Sequence, residues 1–383
     1  MPETAYFDNA ATTFPKPSVV YDYADSFYRN SGGNIGRGGN ALAVAAGEIA
    51  KTAKSNLKKL YDCPAGEVVF TASATDALNR ILLGLNLAKD DVVYCTPFEH
   101  NAVTRPLFHL AETTGIRIEI LPFDDETFVP RYEEIEDAFV AQPPRLVVMT
   151  HASNVCGAVV PVETVARMAK AYGATTVIDM SQTAGLLPLQ LSSDLFDFAV
   201  FAGHKTLYGP FGIGGFICKR GAELSPVFFG GNGINSVEQR LPENIVQMEE
   251  IGSQNTYAIA GLKASTDWLL EQGLEAIRKI EMENRDRLLE CLGAAGFCSL
   301  IGEGMECERI GVVSALFDGY SPDEGEMVLG RCGVAVRSGI QCAPYAHRFL
   351  GTLPAGTIRF SVSALTGDPE FDALERALDV IDE

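Results

Sequence analysis

Residues 196–215 restrict this chain more than any other stretch. A mostly apolar run over 196–202 reads as a buried strand, it breaks at Gly203, and His204 and Lys205 follow before a glycine-rich loop. Burial lowers a lysine's pKa and leaves a nucleophilic amine, the property needed to join a carbonyl cofactor covalently. An ordinary surface lysine after a strand fits the same residues, so the neighbouring elements have to decide.

Those elements repeat the pattern. Apolar strands are expected at 67–71, 92–95, 116–121, 145–150 and 175–179, interleaved with helices at 18–30, 41–61, 77–87, 102–113 and 162–172. Short apolar strands alternating with helices specify an α/β fold with a mainly parallel sheet. In such sheets ligands gather at the carboxyl ends of the strands. Thr71, His100, Asn154, Asp179 and Lys205 all fall near such ends. Beyond them, 226–250 reads as irregular and 256–292 as one long helical region. A smaller α/β unit follows, with strands at 311–317, 334–337 and 357–363 and helices at 322–331 and from 369 to the end.

The 383 residues, 47% of them hydrophobic, suffice for a large core. A formal charge of −20 opposes non-specific binding to nucleic acid or to an anionic membrane, so any phosphate has to be held locally. The nine cysteines include no C-x-x-C pair and fit a reducing compartment, and the five histidines show no metal-ligand spacing, so no metal is expected. No long apolar span and no signal-like start are present, which points to the cytoplasm.

Several residues suit one piece of chemistry. Ser73 and Thr75 stand at a helix start, where hydroxyls and free N–H groups can hold an anion, although an ordinary N-cap explains them too. Arg37, in a glycine cluster, is either an anion ligand or a solvated charge. Pyridoxal phosphate needs an amine, a carboxylate for its ring nitrogen, a phosphate cradle and a flat partner for its ring. Lys205 would supply the amine and Asp179 the carboxylate. Thr75, His204, Ser73 and Ser253 would hold the phosphate, His100 would stack on the ring, and Gln182 and Asn154 would reach its phenolic oxygen.

The segments Asp8-Asn9-Ala10-Ala11-Thr12-Thr13, Glu99-His100-Asn101, Ser153-Asn154 with Gly157, Asp179 with Gln182, and Gly203-His204-Lys205 with Gly209-Pro210 occur here in one order. Together they resemble the class V aminotransferase family, and within it the cysteine desulfurases, over essentially the whole chain. Arg337-Ser338-Gly339-Ile340-Gln341-Cys342-Ala343 resembles the short cysteine loop of the group that includes selenocysteine lyases. The resemblance implies an α/β fold of fold type I. A large pyridoxal-phosphate-binding domain would span 15–255, and 1–14 with 256–383 would form a small domain carrying the cysteine loop.

It further implies a homodimer with sites at the subunit interface, L-cysteine as substrate and Cys342 as the persulfide-forming nucleophile, and leaves open whether the sulfur passes to an acceptor protein (a shuttle or a scaffold) or to a reductant. Arg359 would bind the substrate carboxylate, Arg37 would lie near it, and His100 would relay a proton. The alternatives are a selenocysteine lyase or another C–S lyase of the family, and a non-catalytic sulfur-assembly scaffold. The chain departs from the pattern at Ala74 and Ala202, where hydroxyl residues are usual, at Ser253 in place of threonine, and at Ile340-Gln341 in place of a histidine-containing pair.

Overall fold

The computed structural model describes residues 4–35, 39–233 and 237–382. Its strands are β1 (Ala5–Tyr6), β2 (Glu67–Thr71), β3 (Val92–Cys95), β4 (Arg117–Ile120), β5 (Leu146–Thr150), β6 (Thr175–Asp179), β7 (Phe198–Ala202), β8 (Gly214–Cys218), β9 (Cys298–Leu300), β10 (Val312–Phe317), β11 (Val334–Ala335) and β12 (Ile358–Ser361). Seven of them form the main sheet in the order β2-β8-β7-β6-β5-β3-β4. The pairs β7-β6, β6-β5, β5-β3 and β3-β4 are parallel, and β8 is antiparallel to both its neighbours.

The central strands are uninterrupted apolar runs because both faces of the sheet are covered. Alternate residues part company: Val147 and Met149 of β5 join the core beneath the helices Ala41–Leu60, Tyr132–Ala141 and Val162–Ala171, with Leu57, Phe139 and Val165. Leu146 and Val148 join the opposite core, beneath Ala74–Gly84 and Asn101–Thr113, with Leu78, Ile81 and Val103. Crossovers of this kind leave the carboxyl ends of β3, β5, β6 and β7 together at one edge of the layer, and that edge carries the site.

A second unit combines the antiparallel sheet β12-β10-β9 with the parallel pair β1-β11. Phe7, Val313, Phe317, Phe360 and Phe371 form its core. The chain's beginning is thereby stitched to its later part, since Ser361 donates its backbone N–H to the Phe7 carbonyl at 2.6 Å.

Four local features differ from the sequence expectation. The helical region 256–292 is two helices, Thr256–Gln272 and Leu274–Ala294, because Gly273 takes φ 82° between them. The glycine loop after Lys205 ends in β8, whose Gly215 lies so close to β2 that an added Cβ would sit 2.2 Å from the Val69 carbonyl oxygen. Glycine is therefore a packing requirement of this strand, and that disguised it as a loop. The helix Tyr132–Ala141 was not anticipated, and a short helix, Ile245–Glu249, lies within the stretch read as irregular. No helix among the described residues is long and apolar enough to cross a membrane.

Candidate active site

A cavity of about 230 Å³ opens at the carboxyl edge of the main sheet. Lys205, His204, Asp179, Gln182, His100, Asn154, Ser73, Thr75 and Arg359 all line it. Residues separated by almost three hundred positions thus meet because five strand ends and β12 converge there.

Lys205 follows the fully buried β7. The backbone on both sides of it is held by the opening loop of the chain: the His204 carbonyl accepts from Thr12 Oγ1 at 2.9 Å and Lys16 Nζ at 2.6 Å, and the Lys205 carbonyl accepts from Thr13 Oγ1 at 3.0 Å. Burial lowers the Lys205 amine from its ordinary 10.5 to about 8, with Asp179 opposing the shift and Arg359 and Arg337 adding to it. An amine at that value is uncharged in a useful fraction near neutrality, as nucleophilic and general-base chemistry requires. Lys16 is pushed down to about 7 by burial alone.

Asp179 ends β6 and is almost fully buried. Its Oδ1 accepts from the Ser181 backbone N–H at 2.9 Å and from Ser181 Oγ at 2.5 Å. These bonds fix the carboxylate's orientation. Gln182, one residue beyond, donates to the Ala10 carbonyl at 2.9 Å.

His100 caps the helix Asn101–Thr113, its Nδ1 accepting from the Ala102 backbone N–H at 3.0 Å. An accepting Nδ1 leaves the ring proton on Nε2. Burial, with Lys205 nearby, lowers His100 to about 4, so the ring is neutral. His204 is lowered further, to about 3, first by burial and then by Lys205 and Lys16. Its ring stacks on Phe211 with centroids 4.7 Å apart, and its buried Nδ1 has no hydrogen-bond partner among the described residues.

Ser73 caps the helix Ala74–Gly84 by accepting from the Asp76 backbone N–H at 3.1 Å. Gly214 permits β8 to press on this helix start, since a Cβ there would fall 2.5 Å from the Ser73 carbonyl carbon. The first turn of the helix, with Thr75, thus forms one wall of the cavity and presents the positive end of the helix to it.

Arg359, on β12, is fully buried. One terminal nitrogen bonds Asp8 Oδ1 at 2.5 Å, the other donates to the Asn154 carbonyl at 3.1 Å, and Nε has no partner among the described residues. The guanidinium is therefore part-satisfied and has a donor to spare. The sequence reading named neither Asp8 as its counter-ion nor Arg337, which also lines the cavity. Arg337 stood in the cysteine-loop motif and could have been found there.

Two expected residues stand apart from this cluster. Cys342 is exposed and does not line the cavity, though its neighbour Gln341 does. Ser253 lines a different cavity of about 660 Å³, with Thr71, Asn79 and Arg80, and not the one that Lys205 lines. Arg37 lies outside the described residues. Ser181, which orients Asp179, was missed because a serine beside an acidic strand end has no distinguishing sequence signal.

The profile of the family described as Aminotransferase class-V matches residues 5–374. A protein named probable cysteine desulfurase from Aeropyrum pernix is 34% identical over 358 residues, covering 89% of this chain and 86% of that one. Another of the same name from Halalkalibacterium halodurans is 29% identical, with 98% of this chain and 92% of the other covered. Among solved structures, a cysteine desulfurase from Thermococcus onnurineus, in its apo form, superposes with a TM-score of 0.90 at 28% identity, over 99% of this chain and 94% of that one. The chain belongs to the class V aminotransferases and has their fold type I architecture.

Class V aminotransferases work with pyridoxal 5'-phosphate, and the cavity suits it. A buried amine with a lowered pKa, a fixed carboxylate, a helix start with hydroxyls and an orphaned ring nitrogen on His204 are the donor and acceptor set that such a group would satisfy.

Proposed function

We propose that the protein is a pyridoxal-phosphate-dependent cysteine desulfurase that converts L-cysteine to L-alanine and keeps the sulfur as a persulfide on Cys342. The observation that carries this reading is the convergence of Lys205, Asp179, His100, His204 and Arg359 on one cavity whose lining continues, through Gln341, into the cysteine loop.

When bound, the cofactor supplies a carbonyl that joins an amine covalently and a ring that accepts the electrons left at the substrate's Cα. Lys205 would hold it and, once released, take the Cα proton. Asp179 would face its ring nitrogen, His100 its ring face, Gln182 and Asn154 its phenolic oxygen, and Thr75, Ser73 and His204 its phosphate. Arg359 would clamp the substrate carboxylate with the donors that Asp8 and Asn154 leave free, and Arg37 would stand on the substrate side.

The Cys342 thiolate attacks the substrate sulfur and an S–S bond forms. The Cβ–S bond breaks, its electron pair stays with the carbon skeleton, and the skeleton is protonated and leaves as L-alanine. His100, neutral with its proton on Nε2, would relay a proton in these steps.

Ser253, which does not line the Lys205 cavity of its own chain, would complete the phosphate cradle of a second subunit in a homodimer. Residues 15–255 would act as the large cofactor-binding domain, and 1–14 with 256–383 as the small one. All nine cysteines are free, which fits the reducing cytoplasm, and an exposed Cys342 is open to a sulfur-acceptor protein.

The test is alanine and sulfide release from L-cysteine, beside L-selenocysteine, with and without a thiol reductant. Cys342→Ala should keep the cofactor and lose cysteine turnover by at least about 10²-fold, the scale of a missing nucleophile. Undiminished cysteine turnover by that variant would remove Cys342 from the mechanism. Turnover of selenocysteine alone would shift the reading to a selenocysteine lyase.

A further inference from the structure

Gln341 and Cys342 both adopt left-handed backbone, with φ 42° and 57°. Two successive non-glycine residues in that region are disfavoured and persist only where surrounding contacts impose them. The loop's main chain is tied to the cofactor side, because Asn154 Nδ2 donates to the Gln341 carbonyl at 2.8 Å and the Asn101 backbone N–H donates to the Cys342 carbonyl at 2.7 Å.

The side chain of Gln341 is buried and turned inward. Its Nε2 donates to the Thr357 carbonyl at 3.0 Å and to the Arg337 carbonyl at 3.4 Å. The reverse amide orientation would set Oε1 against two carbonyl oxygens, so the orientation follows from the chemistry. Oε1 therefore lies 2.7 Å from His347 Nε2, and because an amide oxygen only accepts, the His347 proton is on Nε2. Nδ1 is then bare and accepts from Thr352 Oγ1 at 2.7 Å.

His347 is fully buried. Burial pushes it down to about 4, so above that value it holds a single ring proton. Donation runs one way, from Thr352 to His347 to Gln341 to the carbonyls of Arg337 and Thr357, and it uses every polar atom of the Gln341 side chain. The glutamine stands where a histidine-containing pair is usual in the resembled loop, so the relay belongs to this chain's own sequence.

We propose that Gln341 and His347 are positioning residues that hold the Cys342 loop in its left-handed conformation, so that the nucleophile is presented from a fixed loop. The proposal rests on the reading of Cys342 as the sulfur-accepting nucleophile.

The test uses the cofactor-loaded enzyme and the variants His347→Leu, Gln341→Met and His347→Gln, whose amide nitrogen can stand in for Nε2. Backbone hydrogen exchange of residues 338–343 should quicken at least about tenfold in the first two variants. Their kcat for L-cysteine should fall about 10- to 100-fold at unchanged KM and with an unchanged cofactor absorption spectrum. His347→Gln should return both readouts to within about threefold of the parent, as the retained donor predicts.

Unchanged exchange in 338–343, or a kcat loss that His347→Gln fails to restore, would overturn the proposal. A fall in thermal stability with kcat per bound cofactor intact would do the same, because the relay would then be structural only. If the first two variants do not fold, Thr352→Val removes only the far donor and reads the same exchange and kcat in the same direction. A parent enzyme that forms no persulfide from L-cysteine would defeat the functional reading instead, and the exchange measurement, which needs no substrate, would still decide whether the relay fixes the loop.

Discussion

Lys205 follows a strand buried on both faces, whereas Cys342 sits in a turn that belongs to neither strand nor helix. The lysine's place is set by the sheet: β7 is paired along its length with β8 and over Phe198–Val200 with β6, and its last residue, Ala202, lines the cavity. The cysteine's place is set by single side chains and by a close backbone approach, in which Gly356 lies against Gly339. A residue held by a sheet tolerates changes around it, while one held by a few specific bonds does not. The two halves of the proposed reaction should therefore respond differently to substitution.

The largest effect falls on the sheet-borne half. Lys205→Ala removes both the covalent anchor and the proposed base, and L-cysteine turnover should drop at least about 10³-fold, near the upper range for loss of a general base. Thermal stability should hold, because the strand pairing does not use the amine. A variant retaining a tenth of parent activity would take Lys205 out of the chemistry.

The same lysine gives a pH signature. Its value in the folded protein is lowered to about 8 from 10.5, so the uncharged, reactive amine gains population as pH rises toward 8 and gains little beyond. Loading of pyridoxal phosphate onto apo protein, followed by absorbance, should accelerate about tenfold per pH unit below that point and then level off. A rate still climbing tenfold per unit from pH 9 to 10 would mean that the burial argument for this amine is wrong.

Gly356→Ala attacks the other half. The residue has φ 83°, and an added Cβ would stand 2.0 Å from the Gly339 carbonyl oxygen. Backbone strain and overpacking together should cost about 3 kcal/mol. Sulfur transfer should fall well over tenfold, by the misplacement of a reacting group, while the absorption band of the lysine-bound cofactor stays. Loss of that band along with sulfur transfer would erase the distinction between the two halves.

This contrast also explains what the sequence disclosed. Apolar runs that end at Thr71 and Asp179 or shortly before Lys205 announce buried parallel strands and their ligand edge, because strand burial is written into consecutive residues. Asp179 and Lys205 were legible for that reason. β8 was hidden since its glycines serve a close inter-strand approach that only the folded sheet shows, and the break at Gly273 was hidden inside an otherwise helical run. Tertiary partnerships were least legible. Nothing adjacent to Asp8 marks it as the counter-ion of Arg359, 351 positions away, and nothing near His347 marks it as a donor to Gln341.

The Asp8–Arg359 pair gives the smallest effect and the finest test of the comparison, since it joins the opening loop to β12. Asp8 occupies one terminal nitrogen of a buried guanidinium whose Nε has no partner among the described residues, so a substrate carboxylate taking the donors left free would lie close to the Asp8 charge. In Asp8→Asn the charge is gone but a weaker acceptor remains. The KM for L-cysteine should fall a few-fold, as expected for the loss of a competing charge worth about 1 kcal/mol at a partly solvated site. Stability should fall by about 2 kcal/mol, because a buried arginine loses its counter-ion. A raised KM would reverse the assignment: Asp8 would then orient Arg359 for the substrate, and the arginine, like Cys342, would owe its place to one specific bond.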